Sequence, residues 1–244
     1  MYELAILTTA IIRPEIHIKS LNSVKKILKK YTKILWIINL DFVNIFPKNV
    51  IITDKIIEQC FNNTMITIKT LFLNYNITFK FILNKVGNFN NAVRNLVKEV
   101  ENMIDNIKLG ILYFEDDWVI SRNGNNIYYY LHLLDNRQGE KNNIYGYRFS
   151  FRECIGNVAS FRPTIWSLDG FKDIFISAFR KNNDIKKDPE NILIEYWKKE
   201  KSEYIIMCLP YELNVIDIGR NLVQQKGLIK WNRHIDSETT YNLV

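Results

Sequence analysis

The sequence predicts an α/β protein built on a mostly parallel central sheet with helices on both faces. Three observations carry that reading. Apolar runs of strand length recur through the first half, at residues 4–11, 33–41, 77–84 and 109–114. Stretches with apolar residues at helical spacing alternate with them, at residues 15–31 and 87–105. The strand runs are continuously apolar instead of alternating, as strands covered on both faces are.

"LAILTTAII" (4–12) is too short to cross a bilayer, which takes about 20 residues. It has no basic leader, and Arg13-Pro14 stop it, so it reads as a buried first strand and not a signal peptide. In the helix that follows, Ile16, Leu21, Val24, Ile27 and Leu28 share one face and lysines take the other. "KILWIINLD" (33–41) is a second strand ending in an acid. Residues 42–76 read as a helix with flanking strands, and "ITFKFILN" (77–84) as a third strand. A stripe of Phe89, Ala92, Val93, Leu96, Val97, Val100 and Met103 marks the next helix, and "LGILYFEDD" (109–117) the fourth strand.

The second half has a different texture. "YGYRFSFREC" (145–154) alternates like an exposed strand, and "NVASFRPTIWSLDGFKDIF" (157–175) reads as loop and turns. Residues 188–200 open with Asp188 as N-cap and Pro189 at the first helical position. Residues 204–220 hold a strand and a second short one, and the tail from 221 is partly irregular. With no repeat, low-complexity tract or linker, the expectation is one domain over 1–244. The expected division is a nucleotide-binding half over residues 1–118 and a second half over 119–244.

An apolar fraction of 47% against 24% charged residues excludes a disordered chain. The net charge of +7 favours anionic partners. The lysines come in short pairs such as Lys25-Lys26 and Lys198-Lys199 within helical patterns, so solvated faces are preferred to a nucleic-acid site. Cys60, Cys154 and Cys208 are far apart and form no CxxC, which suits reduced thiols in a cytoplasmic protein.

The chemistry concentrates at the end of the fourth strand, where "GILYF" runs into Glu115, Asp116 and Asp117. Adjacent carboxylates repel, and a hard divalent cation, Mn²⁺ or Mg²⁺, offsets them while sharing oxygen ligands with a substrate's phosphates. A solvated acidic turn is the alternative. A buried strand pins the triplet to the carboxyl edge of the sheet, where ligands of such folds gather, and this favours the metal.

This stretch resembles the acidic DxD-type motif of glycosyltransferases of GT-A fold. "ILTTAIIRPE" is similar to their first strand and turn, "GNFNNAVRNLV" to the segment one helix ahead of the acids, and "NVASFRPTIW" to the acceptor-side loop. "DPENILIEYW" stands where inverting members place a catalytic acid. "YFEDDW" resembles a variant found in viral and bacterial glycan-building enzymes. The resemblance spans roughly residues 4–234 and rests on the order of the motifs.

It implies metal-dependent transfer of a sugar from a nucleotide diphosphate donor, UDP-linked by expectation, to a glycan or glycoprotein hydroxyl. Asp117 would be the direct metal ligand, with Glu115 supporting and His234 completing the shell. Asp116 would face the donor sugar or ribose. Glu190, with Asp188 as competitor, would take the acceptor proton. Thr8, Thr9, Arg13, Asp41, Arg94 and Arg220 are candidates around the donor. β-Propensity equally accounts for the threonines, and a structural ion pair is the competing reading for Arg94. Arg148, Arg152, Arg162 and Trp166 are candidates for acceptor contacts, although Trp166 equally suits a core. His17 and His132 read as structural. The rival functions are a phosphoryl-transfer enzyme or nuclease using Asp116, Asp117, Asp41 and Glu153, and a binding domain without catalysis.

Overall fold

The structure, a computed structural model, describes residues 1–12, 14–42, 51–120, 127–135, 143–149, 159–209, 215–218, 228–229 and 242–243. The first half runs β1 (Tyr2–Ile11), α1 (Pro14–Val24), β2 (Ile34–Asp41), α2 (Asp54–Leu71), β3 (Ile77–Asn84), α3 (Phe89–Glu101) and β4 (Ile107–Tyr113). After it come β5 (Trp118–Ile120), α4 (Ile127–Asp135), β6 (Ile144–Arg148) and β7 (Thr164–Trp166). A continuous helical run holds α5 (Leu168–Gly170), a π-helical turn (Phe171–Ile176) and α6 (Ser177–Lys181). Helix α7 (Pro189–Glu200), β8 (Ile205–Cys208), β9 (Val215–Asp217), β10 (Leu228–Ile229) and β11 (Asn242–Leu243) complete it.

Seven strands form one sheet in the order β3-β2-β1-β4-β7-β6-β8. β3, β2, β1 and β4 are parallel, β7 is antiparallel to both its neighbours, and β6 and β8 pair in parallel. Strand side chains alternate between faces, and this divides the core in two. Leu4, Ile6, Trp36 and Ile38 pack with Leu21 and Val24 of α1, Ile68 of α2 and Leu131 of α4. Ala5, Leu7, Leu35 and Ile37 face Val93, Leu96 and Val100 of α3, Phe175 of the π-helical turn and Leu193 of α7. The fold is therefore α/β with a mostly parallel sheet covered on both sides, as the apolar runs predict.

Three expectations are corrected. Residues 51–76 hold one helix, α2, and no strand; Thr53 caps it by accepting from the Ile56 N–H. The stretch expected to be loop at 157–175 contains β7 and most of the helical run. β7 exists because β4 and β6 pair with it on both sides, and no local periodicity announces it. Cys208 is disulfide-bonded while Cys60 is free, so the expectation of three reduced thiols fails at Cys208.

Gly110 lets β4 and β7 close together. It has φ +157°, and a Cβ there would stand 2.4 Å from the carbonyl oxygen of Trp166. Among the described residues no helix is long and apolar enough to cross a membrane.

Candidate active site

The chain lays β1, β2 and β3 outward in one direction and then returns to place β4 on the other side of β1. Doubly wound sheets bind ligands beyond the carboxyl ends of the strands at such a reversal, here those of β1 and β4, and the crevice expected there is the candidate site. Pairing continues past the formal end of β4: Phe114 N–H donates to Leu7 O (2.9 Å) and Asp116 N–H to Thr9 O (3.2 Å). The acidic triplet is thus drawn alongside the end of β1.

Each acid then takes a separate course. Asp116 turns inward and is 4% exposed. Its Oδ2 accepts from the Ile11 N–H at 3.2 Å and lies 3.2 Å from His17 Nε2. His17, wholly buried on α1, has the same nitrogen 2.6 Å from the Ile11 carbonyl oxygen. Glu115 is half-buried and accepts from the Trp118 indole N–H (3.0 Å). Asp117 is half-buried, and its carbonyl accepts from the Ile218 N–H at 2.8 Å, where β9 runs antiparallel beside β5.

The opposite wall begins at α7. Asp188 caps the helix by accepting from the Glu190 N–H at 2.7 Å, and Pro189 occupies the first position. The Asp188 carboxylate thus serves its own helix start, and Glu190 follows it, half-buried, in the first turn. The field around two buried groups links Glu190 to the triplet. The Tyr113 phenol is pushed far up, first by burial and then by the charges of Glu115, Asp117 and Glu190, while its bond to Thr9 Oγ1 (3.0 Å) opposes the rise. Arg148, at the end of β6, is lowered by burial and by neighbouring Arg162, with Glu190 pulling it back up. One phenol therefore feels carboxylates from the end of β4 and the start of α7.

Asp41, at the end of β2, is 4% exposed. Its carboxyl is raised to about 7, chiefly by burial; the amides of Asn84 and Asn39 and the Asn88 backbone pull it down, and the Asp116 charge adds to the rise. Asn39 Nδ2 donates to Asp41 Oδ1 at 2.8 Å and its own oxygen accepts from Asn95 at 3.0 Å, so an amide cluster floors this side.

Three sequence expectations change here. Thr8 is enclosed and accepts from the Trp36 indole N–H (2.9 Å), so it serves the core and not a donor. Trp166 is fully buried between β4 and the helical run and has no face to offer a sugar. Arg94 donates to the Phe179 carbonyl within α6 and to the Asn182 carbonyl just after it. Thr9, Asp41, Glu115, Asp116, Asp117, Arg148, Arg162, Asp188 and Glu190 lie at or near strand and helix ends, whereas Arg13, Arg152, Arg220 and His234 lie outside the described residues.

The sequence reads His17 as structural, and the structure gives it such a place, buried against Asp116. The available signal was its position on the buried stripe of α1, with Ser20, Leu21 and Val24. A polar side chain there needs a partner.

Among the described residues, no three or more His, Cys, Asp or Glu side chains converge as a ready-made metal site. The donor set nevertheless fits Mg²⁺ or Mn²⁺ as these ions are held in phosphate-binding enzymes, by one or two carboxylates and the substrate's own oxygens. Asp117 and Glu115 would supply the carboxylates.

No family model and no curated protein matches the sequence. Among solved structures the chain is similar to the mannosyltransferase PcManGT from Pyrobaculum calidifontis in complex with GDP-Man and Mn²⁺. Identity there is 6% over 86% of this chain and 55% of that one, with a TM-score of 0.49. It is also similar to S. aureus TarS 1–349, at 12% identity over 87% of this chain and 59% of that one, TM-score 0.49. The complex of that protein with UDP-GlcNAc aligns at 13% identity over 87% and 57%, TM-score 0.47. The chain spans a little over half the length of these structures. At such identities and scores no chemistry is carried across, and the residues of this chain have to supply it.

Proposed function

We propose that this protein transfers a sugar from a nucleotide diphosphate donor, UDP-linked by preference, to a hydroxyl of a glycan or glycoprotein, with inversion. The observation that carries the reading is the convergence on buried Tyr113: Glu115 and Asp117 from the end of β4 and Glu190 from the start of α7 all act on its phenol, and Glu190 acts on buried Arg148 as well. A carboxylate on each side of a crevice is what single displacement requires. The resemblance of "YFEDDW" and "DPENILIEYW" to GT-A motifs supports the same assignment.

In this reading Asp117, helped by Glu115, would hold a divalent ion. When bound, that ion neutralises the charge that develops on the leaving diphosphate. Glu190 accepts the proton of the acceptor hydroxyl as its oxygen forms a bond to the anomeric carbon and the bond to the diphosphate breaks. Asp116, fastened by His17 and Ile11, lines the donor side without bearing the metal. Asp41 and its amides offer the base or ribose a hydrogen-bonding floor. Arg148 and Arg162 lie on the acceptor side.

The phosphoryl-transfer alternative would recruit Asp41 as a further metal ligand. Burial raises its carboxyl to about 7, so its charged form is disfavoured relative to an ordinary carboxylate, which weakens the case for a metal ligand. The test is a panel of nucleotide sugars, with and without Mn²⁺, followed by thermal stabilisation and by release of free nucleotide. Metal-linked stabilisation by UDP or a UDP-sugar is expected; no nucleotide effect at any metal concentration overturns the proposal.

A further inference from the structure

We infer that Asn90 and Arg94 form a clamp that sets the start of α7 and so acts as the positioning element for Glu190; this rests on the reading of Glu190 as proton acceptor. The two residues sit one turn apart on α3, which the Asn88 side chain caps by accepting from the Asn91 N–H. Asn90 is fully buried, and its Nδ2 donates to two carbonyls, Asp184 O at 3.1 Å and Lys187 O at 2.6 Å. Its Oδ1 accepts from Arg94 Nε at 2.7 Å. The Arg94 guanidinium then donates through Nη1 to Phe179 O (3.1 Å) and through Nη2 to Asn182 O, and it lies over the Phe179 ring.

Two side chains thereby engage one carbonyl of α6, that of Phe179, and three of the segment that joins α6 to α7, those of Asn182, Asp184 and Lys187. Backbone carbonyls between helices need partners when water is excluded, and a planar guanidinium delivers its donors as a fixed fork. The last carbonyl held, that of Lys187, belongs to the residue before the Asp188 cap. From Arg94 through Asn90, Lys187 O and Asp188 to the Glu190 N–H, an unbroken covalent and hydrogen-bonded path leads to the carboxylate-bearing residue. Neither clamp residue needs to touch donor or acceptor to matter, because displacing a reacting group by about 1 Å can cost about 100-fold in rate.

The experiment uses the full chain with Asn90→Ala and the milder Arg94→Lys. Hydrogen exchange at the amides of residues 183–190 is expected to accelerate at least about tenfold in Asn90→Ala, as local opening becomes easier. Transfer from the nucleotide sugar should lose about 10- to 100-fold in kcat, while donor KM and the nucleotide-dependent thermal shift change by less than about twofold. On a Glu190→Gln background, Asn90→Ala should cause no further loss, since both act through one carboxylate. Arg94→Lys keeps the charge and loses the fork, so an intermediate effect is expected; it also decides the matter should Asn90→Ala fail to fold. Exchange at the wild-type rate, parallel loss of donor binding, or an undiminished effect on the Glu190→Gln background overturns the inference. A wild-type protein that transfers no sugar overturns the functional reading instead, and the exchange result alone then decides the clamp.

Discussion

His17 Nε2 lies 3.2 Å from Asp116 Oδ2, and the two residues come from α1 and from the turn after β4. The contact fastens the acidic turn to the first helix from beneath. A buried carboxylate that loses one of its partners bears the cost of desolvation. His17→Ala is expected to lower the unfolding free energy by about 2–4 kcal/mol, through the lost contact and the cavity left behind. Denaturant titration checks it. A loss below about 0.5 kcal/mol would mean that Asp116 does not depend on the histidine.

Asp117 and Glu190 should separate binding from chemistry. Asp117→Asn is expected to abolish the Mn²⁺-linked part of nucleotide stabilisation while leaving the fold intact. Glu190→Gln should keep that stabilisation and reduce transfer by about 100- to 10,000-fold, the usual range for a lost general base. Calorimetric titration with UDP, paired with a transfer assay, distinguishes them; loss of binding in both variants would assign Glu190 to the donor site.

Asp41 makes a prediction whose sign follows from its carboxyl, about 7 in the folded protein against an ordinary 3.8. Between these values the folded state holds a proton that the unfolded state has released. The contribution to stability is therefore whole below about pH 4, falls as pH rises through about 7, and is level above that. Its size is on the order of a few kcal/mol. Asp41→Asn should flatten that part of the pH–stability curve and be more stable than wild type at pH 8. Unfolding titrations of both proteins between pH 4 and 8 measure the difference, and parallel curves would refute the shift.

Gly110→Ala is expected to destabilise by more than about 3 kcal/mol, because the new methyl group meets the Trp166 carbonyl at 2.4 Å and Leu131 Cδ2 at 2.7 Å. Backbone on one side leaves little room to yield. A thermal melt within a degree or two of wild type would show that β7 can retreat from β4.

How much of this was legible in the sequence depended on whether the deciding forces were local. The continuous apolar strands and the Asp188-Pro189 start of α7 declare themselves within a few residues, and they match the structure. β7 does not, because three residues become a strand only through β4 and β6 on either side. The partners of Arg94 are hidden for a related reason. On its own helix it is an arginine beside an apolar stripe, and its acceptors stand 85 and 88 positions further along the chain. The acids could be found as a triplet, but not their division of labour. One turned toward His17, another toward Trp118, and a third was held by its backbone to Ile218.

The bond from Ile218 N–H to the Asp117 carbonyl makes the acidic turn depend on peptide a hundred residues downstream. A shortened protein stopping before residue 215 would retain Glu115, Asp116, Asp117 and Glu190, every acid the chemistry calls for. It would lack the strand that lies beside β5 and the hydrogen bond that fixes the Asp117 peptide plane. Anyone trimming the chain for crystallisation or display should therefore expect a protein with the right residues in a slackened turn. Residues 215–218 are therefore part of what holds this corner of the molecule.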